Sequence, residues 1–228
     1  MNLKMLNLFE SFDPSVYYIY TFHLNWIFSL VPITLLTGSF WAIPSRFVMV
    51  FTLIFSTLLN EFSLAMYYKK LVPNSLIFIG LMLHIMLLSF FSLFPYIFPT
   101  TSHLLFNLSF SLPLWLSFFL YSITKIPTKF LAHLVPYNSP QSLMNFMVVI
   151  EIISYLIRPL TLSIRLSSNL ISGHLILILL SNFIMKFMYT TPVMMMVENI
   201  LLILEISMSV IQAYVFSILL SLYIKESI

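Results

Sequence analysis

Residues 143–185 read LMNFMVVIEIISYLIRPLTLSIRLSSNLISGHLILILLSNFIM, an apolar run interrupted by only three charged side chains, Glu151, Arg158 and Arg165. Folded as one α-helix, the run would measure about 65 Å at 1.5 Å per residue, whereas the hydrocarbon core of a bilayer is about 30 Å thick. A helix of that length has to tilt, bend or break inside a membrane. A bend is expected at Pro159, which has no N–H and crowds the preceding turn. The run therefore predicts a long, tilted membrane helix.

A second apolar run, residues 192–224, follows after a short turn at residues 188–192. As a helix it would measure about 50 Å, again longer than the bilayer core is thick. Because the turn between the two runs is so short, the helices must fold back on each other. We expect the chain to end in a long, tilted, antiparallel helical hairpin.

The composition of the whole chain agrees with a membrane protein. Of its 228 residues, 61% are hydrophobic and 7% are charged, whereas soluble domains carry about 25% charged residues. The chain contains no cysteine, which excludes disulfides, thiolate catalysis and cysteine-ligated metals. The formal charge is only +3 without a basic cluster, so a nucleic acid is not an expected partner.

Upstream of the hairpin, three further runs are long enough to cross a bilayer, which takes about 20 apolar residues. The predicted spans are 16–41, 71–98 and 104–124, and residues 127–140 are predicted to form a loop. Residues 45–70 are apolar only in part, so we expect an amphipathic helix that lies in the membrane interface. The predicted fold is a single all-α integral membrane domain with five crossings, one interfacial helix and the C-terminal hairpin.

The orientation follows from lysine and arginine in the short loops, which favour the inner side of the membrane. Arg46, Lys69 and Lys70 follow the first span, while Lys125 and Lys129 follow the span at 104–124. Lys186, in the turn of the hairpin, is the exception. This distribution predicts that the N-terminus is outside and the C-terminus inside.

Charged residues within predicted spans occur only in the hairpin. They are Glu151, Arg158, Arg165, Glu198 and Glu205. On insertion scales each charge near the bilayer centre costs at least about 2.5–3.5 kcal/mol, so such residues are expected to face protein, water or one another. This segregation indicates that the hairpin carries the function.

The charges follow one stripe on each helix. Glu151, Arg158 and Arg165 are seven residues apart, and Asn169 lies beside their line. Residues seven apart return to nearly the same face of a helix. Each long helix is therefore expected to present one polar stripe on an otherwise apolar surface.

The second stripe runs through Glu205 and Gln212, again seven residues apart. If the hairpin folds about residues 188–189, Arg165 lies level with Gln212, and His174 lies within one turn of Glu205. Glu151 then falls near the other end of the hairpin. Polar groups at both ends with Arg165 at mid-depth predict two offset half-paths separated by a fixed positive charge.

The same residues also allow a purely structural interpretation. The stripes could form a salt-bridge seam between the two helices. Arg158 could snorkel or pair with Glu151, and Glu198 could be solvated at the surface. No histidine pair has the same-face spacing of a bis-imidazole haem site, and HExxH and GxSxG are absent. No cofactor, resident metal or catalytic residue is therefore expected.

Two motifs in the hairpin resemble the signatures of the ATP synthase subunit a family. They are IRLSSNLISGH at residues 164–174 and IQAYVF at residues 211–216. Shorter patches extend the resemblance over nearly the whole chain: FESFDP at 9–14, LFPYIF at 93–98 and AHLVP at 132–136. These patches resemble the mitochondrially encoded versions of animals, arthropods included.

The resemblance implies a role for each polar residue of the stripes. Arg165 matches the arginine that faces the carboxylates of the rotating c-ring, and Asn169 and Gln212 match polar residues near it. His174 and Glu205 match the pair that lines the half-channel open to the intermembrane space.

On the other side of the arginine, Glu151 matches an acidic residue of the exit half-channel toward the matrix. Ser167 and Ser168 depart from the more usual residues of the family, but they keep these positions small or polar. The departures concern only the packing against the ring.

The same resemblance implies a location and partners. The chain is expected in the mitochondrial inner membrane, with its N-terminus in the intermembrane space and its C-terminus in the matrix. Expected partners are the c-ring, the peripheral stalk, other membrane subunits of the F0 sector, lipid and protons. The role that the resemblance implies is proton conduction rather than catalysis.

Two alternative classes of function fit the sequence less well. A membrane subunit of a redox-linked respiratory proton pump would favour inverted repeats, broken helices and intramembrane lysine, which this sequence does not show. An intramembrane enzyme would need a convergent nucleophile and base, and none is evident.

Overall fold

The computed structural model describes residues 9, 12–14, 24–35, 45–66, 72–94, 97–125, 127–135, 143–186 and 191–227. Within these ranges the regular structure is helical, without a β-strand, which confirms the all-α fold. The helices are α1 (Val31–Leu35), α2 (Arg46–Met66), α3 (Val72–Ser92), α4 (Leu104–Lys125), α5 (Pro127–His133), α6 (Met144–Lys186) and α7 (Thr191–Ser227).

Four of these helices are long and apolar enough to cross a membrane. The stretches that qualify by length and composition are Ser75–Ser92, Leu104–Lys125, Met144–Ile184 and Thr191–Tyr223. The first predicted span, 16–41, lies partly outside the described residues. The number of five crossings therefore stays a prediction.

The described part of the first predicted span begins with a 3₁₀-helix, Leu24–Leu30, that continues into α1. Pro32 lies at this junction and is fully buried. Proline has no N–H for the bond to the carbonyl four residues earlier, and its ring crowds the preceding turn. This accounts for a tighter helix before Pro32 in place of a regular α-helix.

Helix α2 occupies most of the segment predicted as an interfacial helix. Its apolar stretch, Val48–Leu64, is shorter than the four long ones. Phe62 is buried where α2 meets α3 and α7, while Met49 and Leu53 on the same helix are exposed. The depth of α2 in the membrane stays a prediction.

The connection between α3 and α4 is longer than the sequence suggests. Helix α3 ends at Ser92 rather than near residue 98, because residues that precede a proline avoid the helical region and prolines occur at 95 and 99. A buried 3₁₀ turn, Thr100–Ser102, leads into α4. The Nδ2 group of Asn107 donates a hydrogen bond of 2.8 Å to the carbonyl of Thr101 and holds this turn in place.

The segment predicted as a loop at 127–140 begins instead with the short helix α5. Pro127 is the first residue of α5, a position where the missing N–H of proline has no consequence and its fixed φ suits a helix. The prediction of a loop from residue 127 onward is therefore wrong, because this proline starts a helix.

Helices α6 and α7 form the antiparallel hairpin. Helix α6 has 43 residues and α7 has 37, so they measure about 65 Å and 55 Å. Gly173 lies against Glu205, and Arg158 lies against Tyr223. Residues with lower numbers on α6 thus contact residues with higher numbers on α7, so the two helices run antiparallel. The turn itself, residues 187–190, lies outside the described residues.

The core lies where α2, α3, α6 and α7 meet. Its largest fully buried side chains are Phe62, Phe78, Ile79, Phe216 and Leu220. The outward faces of the hairpin are also apolar; Ile153, Ile164 and Ile211 are about half exposed. A chain that is apolar both inside and outside suits a lipid environment rather than water.

Candidate functional site

Glu205 of α7 is a buried carboxyl group at the crossing of the hairpin, with 7% of its surface exposed. It packs against Gly173 of α6. A Cβ atom at position 173 would lie 2.7 Å from Cδ of Glu205, closer than Cβ contacts in proteins normally are, and 3.1 Å from Cγ, which is tighter than most. In its present rotamer the carboxyl group therefore occupies space that a side chain at residue 173 would take.

The two carboxyl oxygens of Glu205 have no hydrogen-bond partner among the described residues. Buried polar atoms in proteins are normally bonded to protein groups or to water. Glu205 is thus available to a mobile partner, such as water or a proton, rather than used in a salt bridge within the described chain.

A cavity of about 140 Å³ adjoins this carboxyl group. Its polar lining comes from Asn169, Ser172 and Glu205, and the remaining lining is Gly173 with the apolar side chains Ile176, Leu177, Leu201, Leu204 and Met208. The lining is mostly apolar, but the cavity has room for water and its three polar residues offer that water hydrogen-bond partners.

A smaller cavity of about 20 Å³ continues from the first one toward the middle of the hairpin. The two cavities share Asn169, Glu205 and Met208. The smaller one adds polar groups from two helices, namely Ser89 of α3 and Ser209 and Gln212 of α7. Three of the residues selected from the sequence, Asn169, Glu205 and Gln212, therefore line these two adjoining cavities, which we call the polar zone.

His174 follows Gly173 in the chain, but it does not line either cavity. Its ring meets the ring of Phe12 edge-on, with centroids 6.3 Å apart. Its Nε2 atom is buried without a hydrogen-bond partner among the described residues. The expected pairing of His174 with Glu205 as titrating groups stays a prediction.

Arg165 lies on α6 outside the cavities, and its side chain is exposed on the surface of the subunit. It is eight residues from Gly173, which corresponds to about 12 Å along the helix. Interpolation between the Gly173–Glu205 and Arg158–Tyr223 contacts puts it within one turn of Gln212. An exposed arginine in a spanning segment requires water or an opposite charge from another molecule.

Glu151 lies near the other end of the hairpin and is partly exposed. It is separated from Arg165 by fourteen residues, or about 21 Å along α6. The structure therefore does not bring it together with Glu205, and it lines neither of the two cavities. Of the six polar residues selected from the sequence, three line the cavities, and the other three, Glu151, Arg165 and His174, lie elsewhere on α6.

Arg158 makes contacts that its sequence pattern does not predict. Its guanidinium carbon lies 4.4 Å from the ring centroid of Tyr155 and 5.0 Å from that of Tyr223. The first tyrosine is on α6 and the second is on α7. Arg158 therefore contacts both helices of the hairpin through aromatic rings.

Ser89 and Gly173 line the two cavities but are absent from the residues selected by sequence. Ser89 resembles the other serines of the apolar spans, and no local signal distinguishes it. Gly173 did carry a signal, since the chain contains only three glycines and this one stands beside His174 in the hairpin. Scarcity of glycine in a helix-rich chain could have identified a point of close helix approach.

A contact outside the predicted set joins α2 to α7. The hydroxyl of Tyr214 donates a hydrogen bond of 3.3 Å to Oε2 of Glu61. Tyr214 belongs to the second motif of the hairpin but faces away from Gln212, because residues two apart on a helix point in widely different directions. The motif thus serves both the polar zone and the packing of α2.

The comparisons with known proteins agree with the resemblance seen in the two motifs. The family model described as ATP synthase A chain matches residues 17–225. The chain is 53% identical to ATP synthase subunit a of Apis mellifera ligustica, over 99% of this chain and 98% of that relative. It is 45% identical to ATP synthase subunit a of Artemia franciscana, over 97% of this chain and 100% of the relative. It is 42% identical to ATP synthase subunit a of Drosophila melanogaster, over 97% of this chain and 99% of the relative. A match of this extent confirms the resemblance, and the chain belongs to the ATP synthase A chain family.

Proposed function

We propose that this chain is the proton-conducting stator subunit of the F0 sector of mitochondrial ATP synthase. It forms two offset half-channels against the c-ring, and Arg165 separates them. The observation that carries the proposal is the position of Arg165, exposed on the subunit surface about 12 Å along α6 from the polar cavity at Glu205.

The entry half-channel is the polar zone of the hairpin. Glu205, Asn169 and Gln212 line its cavities, and His174 lies one residue beyond the crossing at Gly173. Water in this zone brings protons from the intermembrane space to the surface that faces the ring. The buried carboxyl of Glu205, without a partner among the described residues, is suited to exchange a proton with that water.

Arg165 keeps the two half-channels apart. Arginine does not lose its proton in proteins, so it cannot relay protons itself. A ring carboxylate that faces lipid must be neutral, because burial opposes its charged form, whereas an adjacent arginine favours the anion. Each ring carboxyl therefore loses its proton as it approaches Arg165 and takes up another after passing it.

The exit half-channel lies on the Glu151 side of Arg165 and leads to the matrix. With the N-terminus in the intermembrane space and the C-terminus in the matrix, protons move from the Glu205 side to the Glu151 side. A membrane potential contributes about 2.3 kcal/mol per charge for each 100 mV, which drives the rotation of the ring. The chain itself makes and breaks no covalent bond other than those to protons.

The partners follow from the same assignment. The exposed face around Arg165 meets the carboxylate-bearing subunits of the c-ring, and the remaining faces meet the peripheral stalk, further membrane subunits of the F0 sector and lipid. The mitochondrial inner membrane is the location that this assembly requires.

Single-cysteine labelling in the assembled complex tests the two half-channels. The chain is naturally free of cysteine, so each introduced thiol reports on one position. A cysteine at position 205 or 174 should react with a small thiol reagent added on the intermembrane-space side. A cysteine at 151 should react from the matrix side, and one at 165 poorly from either side. Labelling of 151 and 205 from the same side, or of neither, would contradict the proposal.

A further inference from the structure

A row of aromatic contacts runs across the end of the hairpin that lies away from its turn. It connects α4, α5 and α6 through ring pairs with centroid distances of 4.9 Å, 5.6 Å and 6.3 Å, in the order Trp115–Phe119, Phe119–Phe130 and Phe130–Tyr155. The row continues through Arg158, which lies over the rings of Tyr155 and Tyr223. Arg158 is thus the element of the row that reaches the last helix.

Arginine is well suited to this position. Its planar guanidinium stacks on aromatic faces, and the attraction to the ring increases where water is excluded. Arg158 and both tyrosines are partly buried. A lysine would keep the charge but would replace the plane by a compact, strongly hydrated ammonium group.

The position of this contact along α6 is also significant. Pro159 is the next residue and is fully buried. It has no N–H to donate to the carbonyl of Tyr155, so α6 lacks one backbone hydrogen bond at this turn. The contact of Arg158 with Tyr155 and Tyr223 therefore lies at the turn where the helix is easiest to bend.

We propose that Arg158 is a positioning residue. By lying between Tyr155 and Tyr223 it fastens α6 to α7 across the weak turn at Pro159, and it thereby sets the place of Glu151 two turns farther along α6. The statement about Glu151 rests on the proposed function, whereas the fastening of the two helices does not.

A double-mutant cycle in the assembled complex tests the fastening. The variants are Arg158→Gln, Tyr223→Leu and the pair, and the measurement is the temperature at which the chain dissociates from the solubilised complex. Because both substitutions break the same contact, each should lower that temperature, and the pair should lower it by less than the sum of the two single changes. Additive effects would overturn the proposal.

One conservative variant and one matched control make the cycle more specific. Arg158→Lys keeps the charge without the planar group and should fall between the parent and Arg158→Gln. Tyr121 of α4 is exposed, so Tyr121→Leu controls for the loss of a tyrosine elsewhere and should not couple to Arg158→Gln. If Arg158→Gln prevents assembly, the cycle is run with Arg158→Lys, and the same non-additivity is expected.

The rate of thiol labelling distinguishes a positioning residue from general stabilisation. In the background of a single cysteine at 151, Arg158→Gln should change the labelling rate by about tenfold, while a single cysteine at 205 should react as in the parent. Equal changes at both positions, or none at 151, would overturn the positioning role. A parent in which position 151 reacts from neither side contradicts the exit half-channel instead, and the fastening is then decided by the double-mutant cycle.

Discussion

Gly173 and Glu205 illustrate how the absence of one side chain permits the burial of another. Glycine normally costs about 1 kcal/mol relative to alanine inside a helix, so its presence in α6 requires a compensating gain. Here the gain is space for a carboxyl group at the crossing of two helices, beside a cavity of about 140 Å³. Glu205 keeps its place in the polar zone only as long as residue 173 stays small.

Replacement of Gly173 by alanine should therefore impair proton transport. The new Cβ would lie 2.7 Å from Cδ of Glu205, and overpacking of this kind costs about 1–3 kcal/mol. ATP-driven proton pumping in membrane vesicles should fall by roughly tenfold. Gly80→Ala is the matched control, because a Cβ at position 80 meets nothing within 4 Å, and it should pump like the parent. Equal pumping by both variants would show that the space left by Gly173 for Glu205 is not required for proton transport.

The Arg165→Ala variant should assemble into the complex but should not couple proton transport to ATP synthesis or hydrolysis. The side chain is exposed on the surface of the subunit, so its removal leaves no buried charge behind. Coupled proton transport should be lost, with ATP hydrolysis retained or accelerated. Arg165→Lys should also fail, because a compact ammonium group does not reproduce the planar, always-charged guanidinium. Normal ATP-driven proton pumping in either variant would contradict the role of Arg165.

At the scale of the elements, the hairpin is packed through small side chains. Ser163 of α6 and Ser217 and Ser221 of α7 have no exposed surface. Each of their hydroxyl groups donates to a carbonyl of its own helix, at 2.9 Å, 2.9 Å and 2.7 Å. In lipid, helices associate through close packing of small residues of this kind. Because each serine hydroxyl is hydrogen-bonded within its own helix, it needs no partner across the interface, and the two helices can pack in van der Waals contact.

Enlarging one of these serines should separate the long helices. Ser217→Leu should destabilise the assembled subunit by about 1–3 kcal/mol, measured as a lower temperature of dissociation from the complex. Ser217→Ala should be nearly neutral, since the hydroxyl is bonded only within α7. Ser207 is exposed on the same helix, so Ser207→Leu is the control and should leave the temperature unchanged. If Ser207→Leu and Ser217→Leu behave alike, helix packing at position 217 is not the cause.

At the scale of the whole molecule, the polar groups of the hairpin occupy three separate levels. Glu205 lies at the cavities, Arg165 lies farther along α6 on the subunit surface, and Glu151 lies near the opposite end. A salt-bridge seam would instead bring the acidic and basic groups of the two helices together. The carboxyl oxygens of Glu205 are without such a partner in the described part of the chain. Glu205 therefore takes no part in a salt-bridge seam among the described residues.

The two acidic residues should consequently affect opposite sides of the membrane. Glu205→Gln should slow proton uptake from the intermembrane space, and Glu151→Gln should slow proton release to the matrix. Both variants should assemble normally. A seam predicts a different result, because loss of one partner of a fully buried pair costs about 3–5 kcal/mol. The measurements are proton flux with the pH varied on one side at a time, and the amount of assembled complex. Reduced assembly of both variants with unchanged flux per complex would favour the seam.

Particular residues show how much of the structure could be predicted from the sequence. The apolar runs predicted the all-α fold, and the antiparallel register predicted Arg165 level with Gln212. That Asn169, Glu205 and Gln212 line the same small cavity was not predicted. The helical start at Pro127 and the early end of α3 were not predicted, because proline is compatible with both a loop and a helix start. Ser89 and Phe12 could not be predicted either, since their contacts with the site come from distant parts of the chain.

By itself the sequence determined that this chain is an all-α membrane protein with a charged C-terminal hairpin, and its two motifs identified the family. Those properties depend on local composition and periodicity, which every residue carries wherever the chain folds. The tertiary structure decided that Gly173 makes room for Glu205, that Ser89 joins the polar zone, and that Arg158 lies between Tyr155 and Tyr223. These depend on which helix faces meet and at what depth, and that is set by the packing of all the helices together.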